Sequence, residues 1–296
     1  MNIEDWIRAG RIASKALEYA KNIVKPGVKV KDVLDKIEEF ILSFNAELAF
    51  PAQISINNFA AHYCSDIDDD LIINESDVVK IDVGVLINGA IGDTAITLDF
   101  SHKYENLLRS SEEALKKAID LIKPGININE ISKVIEYTIR SYGYNPIKNL
   151  SGHTMKEYAL HIEPSIPNVN TNIREKLKHN QVIAIEPFST DGYGLVKEKG
   201  ESNVFMQVLD KNVRHPFARE ILKEVKKYKK MPFARRWLEK KFGKMKTQIA
   251  LKELLREKII VGFPPLVEVN NGIVAQFEHT IIVLDKPIVT TLNSFY

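Results

Sequence analysis

Two carboxylates stand where the pattern of the chain asks for apolar side chains. The stretch Asp77-Val-Val-Lys-Ile-Asp82-Val-Gly-Val-Leu-Ile-Asn88-Gly89-Ala-Ile-Gly-Asp93-Thr-Ala-Ile-Thr-Leu98 reads as two strands joined by Asn-Gly. That dipeptide between apolar runs is the strongest short hairpin signal, because a type I′ turn needs positive φ at both central residues. With Asn88 and Gly89 as the loop, Asp82 falls opposite Ala95, and Asp93 lies two residues from Ala95 on the same strand. Both acids then share one face as diagonal neighbours, about 7–8 Å apart between Cα atoms. Two like charges so placed ask for a cation between them or a shared proton. The alternative is a bulge or register shift that turns one acid to solvent.

The elements that would position this hairpin repeat. Apolar residues at helical spacing (Ile7, Ile12, Ala16, Leu17, Ala20) precede Lys25-Pro-Gly27, and a second periodic run follows from Val33 to Ile41. The phrase returns at an offset of 98 residues: Ala114, Leu115 and Ala118, then Lys123-Pro-Gly125, then Ile131, Ile135 and Ile139. Ile37/Ile135, Glu38/Glu136 and Ile41/Ile139 match at the same offset, so the chain is built from two related halves. Near the position of Asp82 in the second half lies Glu186, in the apolar run Gln181-Val-Ile-Ala-Ile-Glu-Pro-Phe188, where Pro187 favours extended backbone before it. A further strand, Val274 to Leu284, carries Glu278 and follows an Asn270-Asn-Gly272 turn. Asp93 and Glu278 are 185 positions apart where Asp82 and Glu186 are 104, so the second half contains a long insertion.

Four acids on strands, two from each half, would converge where the halves meet. A fifth donor comes from Leu150-Ser-Gly-His153 to Pro167, a Gly- and Pro-bearing segment read as a loop, with a second histidine at His161. Four carboxylates and one imidazole form an oxygen-rich set suited to Mn, Fe, Co or Zn, with donors enough to bridge two ions. Ions about 3.5–4 Å apart are a known device for peptide hydrolysis. His102, His179, His215 and His279 are read as core or surface residues; alternation turns His279 away from Glu278. Gln276 shares the face of Glu278, either to support the ligands or as a structural hydrogen bond.

Composition limits the class. Hydrophobic content of 45% and charged content of 27% fit a globular chain, no apolar run is long enough to span a bilayer, and the start has no basic segment followed by an apolar one. A cytoplasmic protein is expected, with no membrane partner. Cys64, the single cysteine, rules out an intrachain disulfide and a thiolate zinc site, and is expected to be a small buried residue. Residues 211–260 hold 17 Lys and Arg against 5 Asp and Glu, a net +12 in a chain of +2, which leaves the rest at −10. The basic segment largely coincides with the insertion and shows helical runs at 219–230 and 233–242.

Several phrases together resemble type 2 methionine aminopeptidase: Asn57-Asn-Phe-Ala-Ala-His62, Lys80-Ile-Asp82, Gly92-Asp93, Gly152-His153, His161-Ile-Glu-Pro-Ser-Ile-Pro167, Ala184-Ile-Glu186-Pro and Gln276-Phe-Glu278-His-Thr. Pro232-Phe-Ala-Arg-Arg-Trp-Leu238 is similar to the segment that separates type 2 from type 1, and the lack of a long N-terminal extension resembles the archaeal form. The resemblance implies an α+β pita-bread fold, as in creatinase and the aminopeptidases. Two pseudo-symmetric halves would surround a central, mostly antiparallel sheet, forming one catalytic domain over 1–296 with a helical, winged-helix-like insertion at about 191–264. It implies two divalent ions (Co, Mn, Fe or Zn) held by Asp82, Asp93, His153, Glu186 and Glu278, with Asp93 and Glu278 bridging. His62 and His161 would flank the scissile peptide, Glu186 would shuttle the proton, and Phe50 would wall the methionine pocket, binding substrate together with the two histidines. The implied activity is removal of the N-terminal methionine from nascent chains with a small second residue, the substrate amine binding a metal. Two other readings are a catalytically silent binding protein on the same scaffold and an Xaa-Pro peptidase relative, though the latter carries an extra N-terminal domain for which this chain has no room. A monomer is expected, with no specific DNA partner and transient ribosomal contact through the basic insertion.

Overall fold

The computed structural model describes residues 1–292; the last four positions of the expected 1–296 unit lie outside the described residues. Helix α1 (Ile3–Ile23) is started by Asn2, whose side chain accepts the Glu4 N–H, and α2 (Val30–Leu42) follows the turn at Gly27. The second half repeats the pair as α3 (Glu105–Asp120) and α4 (Ile128–Ser141), the latter capped by Asn127. Each pair covers its own sheet. Ala9, Ala13, Ala16 and Ala20 of α1, with Ile37 and Ile41 of α2, pack on Ile54, Ile81 and Val83. Ala114, Leu115 and Ala118 of α3, with Ile131 and Ile135 of α4, pack on Ile183, Ile185 and Ile281. The 98-residue repeat is thus two copies of one helix-pair-on-sheet unit.

In the first half the strand Val78–Ile87 lies between Glu47–Ile56 and Ala90–Asp99. Asn88 and Gly89 both have positive φ, at 50° and 94°, and the register pairs Asp82 with Ala95 and Gly84 with Asp93. No bulge interrupts this hairpin, so the two acids share a face, as the turn requires. In the second half Val182–Ile185 lies between Ser151–Lys156 and His279–Ile282, with Ala159–Pro167 and Ile288–Val289 at the edges.

Threonines join the halves. Glu278 N–H donates to the Ala95 carbonyl at 3.0 Å, and the Thr94 and Thr97 hydroxyls donate to the carbonyls of Glu278 and Gln276, each at 2.7 Å. Across the same seam the Thr280 hydroxyl accepts the Asp93 N–H at 2.9 Å and donates to the Asp93 carbonyl at 2.8 Å. Lys80 adds a buried tie, its ammonium donating to the carbonyls of Asn57 at 2.9 Å and Val274 at 2.8 Å. Helix α1 comes close enough to the first hairpin that a Cβ on Gly92 would stand 2.5 Å from the Ala9 carbonyl carbon, which restricts that position to glycine.

Between the strand Phe188–Thr190 and the strand Val274–Gln276 lies the basic region. Val204–Gln207 is flanked by Phe233–Ala234 and Ile260–Phe263, and α5 (Pro216–Val225), α6 (Arg235–Phe242) and α7 (Lys244–Arg256) share a core with them that includes Phe205, Ile221, Val225, Phe233, Leu238 and Leu254. The run 233–242 is not helical throughout: Phe233 and Ala234 pair with Phe205 and Val204, and the helix begins at Arg235. Many of its cations face acids of the body, as in Lys229 with Glu47, Lys240 with Asp35, Lys244 with Asp68, Arg235 with Asp66 and Arg236 with Glu38. The charge asymmetry of the sequence therefore closes on itself in part.

Candidate metal centre

One cavity of about 230 Å³ is lined by all eight residues singled out from the sequence: Phe50, His62, Asp82, Asp93, His153, His161, Glu186 and Glu278. The two glutamates reach it by an unexpected route. Pro187 has no N–H to give a ladder, so the chain breaks between Val182–Ile185 and Phe188–Thr190, which belong to different sheets. Opposite, the expected continuous strand from Val274 to Leu284 is also broken, into Val274–Gln276 and His279–Ile282. Since Phe188 pairs with Gln276 and Ile185 with His279, Glu186 and Glu278 occupy the matching gaps. Both carboxylates therefore issue from the seam between sheets.

The histidine segment differs from its reading as a loop. Ser151–Lys156 and Ala159–Pro167 form an antiparallel hairpin with two register shifts, and Pro164 and Pro167 are tolerated because the second strand lies at a sheet edge. His153 and His161 sit edge-on, ring centroids 4.2 Å apart. His153 Nε2 lies 3.5 Å from Asp93 and 3.7 Å from Glu186. Asp93, His153 and Glu278 each offer one donor atom within 4.8 Å of the others, with Asp82 and Glu186 beside this trio. Gln276 donates toward Glu186 at 3.3 Å and Glu278 at 3.4 Å, so it orients two of the carboxylates. His279 turns away and meets Thr291 Oγ1 at 2.9 Å.

The electrostatics define what the cavity can hold. Burial pushes Asp82 up to about 7. Asp93, Glu186 and Glu278 are raised well above the carboxylate range, first by burial and then by neighbouring carboxylates: Asp82 acts on Asp93, Asp93 and Asp82 on Glu186, and Asp93, Glu186 and Asp82 on Glu278. His153 is held low by burial and by His161. His161 reaches solvent, yet the cavity walls and then His62 still lower it to about 4. Among the described residues no lysine or arginine lines the cavity, and Asp82 Oδ1 is buried without a hydrogen-bond partner. Four clustered carboxylates with a neutral imidazole and no organic cation fit divalent metal ions.

Sequence reasoning missed several wall residues. Phe188, Leu160, Val204, Met206 and Phe263 also line the cavity, and the last three come from the basic region, placing it against the site. Their only signal in the sequence is apolar character, and for Phe188 its place just after Pro187. Gln53 was missed too; its side chain accepts the His62 N–H at 2.8 Å and supports that residue's left-handed backbone, φ 65°.

A carboxylate-rich metal cavity on the seam of a duplicated helix-and-sheet unit defines a metallohydrolase of the pita-bread class. The model of metallopeptidase family M24 matches residues 4–285, and the chain belongs to that family, within its methionine aminopeptidase branch. The chain is 43% identical over 295 residues to the methionine aminopeptidase of Methanocaldococcus jannaschii, covering 98% of this chain and 99% of that protein. The crystal structure of the Thermotoga maritima methionine aminopeptidase superimposes with a TM-score of 0.72 at 24% identity, over 98% of this chain and 96% of that one. A solved thermophilic Arx1 matches with a TM-score of 0.88 at 16% identity, over 99% and 91% of the two chains, and shows the same fold.

Proposed function

We propose that this protein hydrolyses the first peptide bond of chains beginning with methionine and prefers a small second residue. In this reading Asp82, Asp93, His153, Glu186 and Glu278 hold two divalent ions drawn from Co, Mn, Fe and Zn. Such ions supply positive charge against the four carboxylates and lower the pKa of water. The single observation that carries the reading is one cavity that holds five donors beside apolar side chains such as Phe50, Leu160 and Phe188, with no lysine or arginine among the described residues that line it.

The residues divide the work by position. Phe50, Leu160 and Phe188 form an apolar wall for a methionine side chain. Burial lowers the His62 pKa and so favours the neutral ring, and in this reading one ring N–H faces the Pro264 carbonyl. The other nitrogen is thereby left as an acceptor for the scissile amide N–H. Neutral His161 donates to the carbonyl oxygen as negative charge develops on it. Glu186, raised by burial and then by Asp93 and Asp82, takes the proton of the attacking water and hands it to the leaving amine.

The setting belongs to the same proposal. The chain works as a monomer in the cytoplasm on nascent N-termini; among the described residues no helix is long and apolar enough to cross a membrane. Exposed Arg219, Lys223 and Lys252 lack a carboxylate partner among the described residues and offer charge for transient contact with ribosomal RNA. Unchanged co-sedimentation with ribosomes after neutralisation of the lysines within 223–230 would count against that contact. The function itself is tested with metal-loaded protein. Release of methionine from Met-Ala and Met-Gly peptides is expected, with no cleavage of proline-linked dipeptides; no release, or cleavage of the proline substrates alone, overturns it.

A further inference from the structure

Phe50 and Gln53 are three positions apart on the strand Glu47–Ile56, so strict alternation would point them to opposite faces. Both nevertheless line the cavity. The register explains this. Phe50 pairs with Gly84 and Gln53 with Asp82, which sets Pro51 and Ala52 together opposite Val83. This is a bulge, and the extra residue returns Gln53 to the side that Phe50 faces. Phe50 then lies against Gly84, where a Cβ would stand 2.2 Å from the ring, and Gln53 accepts the His62 N–H.

A bulge leaves a backbone group unpaired, and here a side chain takes it. Pro51 has no N–H; the Ala52 N–H donates to Glu38 Oε1 at 3.1 Å in a buried setting. Glu38, on α2, is fixed in turn from the basic region. Arg236 of α6, wholly inaccessible to solvent, donates through Nη2 to the same carboxylate, and the Trp237 indole N–H donates to its other oxygen at 2.8 Å. The guanidinium also reaches Asp35 at 3.3 Å and the sulfur of Cys64 at 2.7 Å, two residues beyond His62. A buried ion pair that removes a charged side chain from water is a costly way merely to hold a helix.

We infer that Glu38 and Arg236 are positioning residues for the methionine pocket: Arg236 fixes the Glu38 carboxylate, which holds the Pro51–Ala52 bulge and so aims Phe50 and Gln53 into the site. The pair touches neither the metal donors nor the substrate. Its effect falls on the apolar wall, and through Gln53 on His62, so it governs recognition of the first residue more than turnover. The inference rests on the reading of this cavity as a methionine pocket.

The test uses two double variants of the metal-loaded protein. Glu38→Leu with Arg236→Met removes both charges and the acceptor for Ala52, whereas Glu38→Gln with Arg236→Met removes both charges and keeps the acceptor. For the first, KM for a Met-Gly peptide is expected to rise about tenfold and the preference for methionine over leucine to fall by a similar factor. Its kcat should stay within about threefold, and its metal content should match wild type. The glutamine variant keeps the acceptor but loses the guanidinium that fixes it, so its KM and preference are expected to shift by about threefold, between wild type and the leucine variant. Equal behaviour of the two variants, or a loss confined to kcat, overturns the inference. Hydrogen exchange of the unsubstituted protein stands independently of whether either variant folds. The Ala52 amide should exchange as slowly as the paired amides of its strand, and rapid exchange also overturns the inference. Failure of wild type to release methionine would instead defeat the functional reading.

Discussion

Replacing Lys80 by methionine removes an ammonium without changing the side-chain length much, and two opposing effects decide the outcome. Taking the charge out of the interior returns the desolvation cost of a fully buried cation. Against this, the carbonyls of Asn57 and Val274 each lose a hydrogen bond from a charged donor. Each buried acceptor left unpaired costs about 1–3 kcal/mol, and hydrogen bonds to a charged group contribute about 1.5–3 kcal/mol each. The Val274 carbonyl stays buried and loses its charged donor, whereas the Asn57 carbonyl is part-buried and keeps the Val274 N–H at 3.1 Å, so the loss should prevail by about 2 kcal/mol. With an unfolding entropy of roughly 2.1 cal/mol/K per residue, that lowers Tm by about 3 °C for a chain of this length. The tie also positions Val274, four residues before Glu278, and Asn57, five before His62. A roughly tenfold fall in kcat/KM should accompany the Tm shift, since small misplacements of reacting groups are costly. Scanning calorimetry and steady-state kinetics measure both. An unchanged or raised Tm would mean that desolvation outweighs the two hydrogen bonds, and the seam would not be held as described.

Three further outcomes follow from the geometry. Glu186→Gln should lower kcat by about 10²–10⁴ while KM for a Met-Gly peptide moves little, as read in steady-state assays; a change confined to KM contradicts a proton-transfer role. Gly84→Ala puts a methyl group against the Phe50 ring, and KM should rise about tenfold; wild-type KM would show that Phe50 does not wall the pocket. Glu239, buried beside Asp66, is raised to about 7 by burial and then by that neighbour. A raised carboxyl contributes stability that is complete below the unfolded-state value and is lost as pH climbs through about 7. Glu239→Gln keeps a donor toward Asp66 at every pH, so its Tm should vary less than wild type between about pH 5 and 8; parallel curves would contradict the assignment.

The hairpin from Asp77 to Leu98 was legible because one dipeptide pins the turn and a period of two then dictates every face. The repeat was legible because the same helix-covering-sheet problem is solved twice with the same residues. Chemistry was legible where a charged residue interrupts an apolar strand. Other features leave no such mark. Thr94, Thr97 and Thr280 look like ordinary strand residues, and only the meeting of two distant strands makes them the seam. The bulge that aims Phe50 depends on an acceptor from α2 and an arginine 198 residues further along, which no local pattern encodes. The breaks at Glu186 and Glu278 follow from a change of sheet, and Pro187 marks only one of them. The pairing of the basic region with the acidic body was visible only as two opposite totals.

Titration of metal-stripped protein with Mn, Fe, Co and Zn, following bound ions per chain by elemental analysis and methionine release from a Met-Gly peptide together, tests the five-donor site most directly. Activity is expected to be lost on stripping and to return as up to two ions bind, with Asp93→Asn and Glu278→Gln abolishing both. Full activity in stripped protein, or metal binding and activity undiminished in those variants, would contradict it.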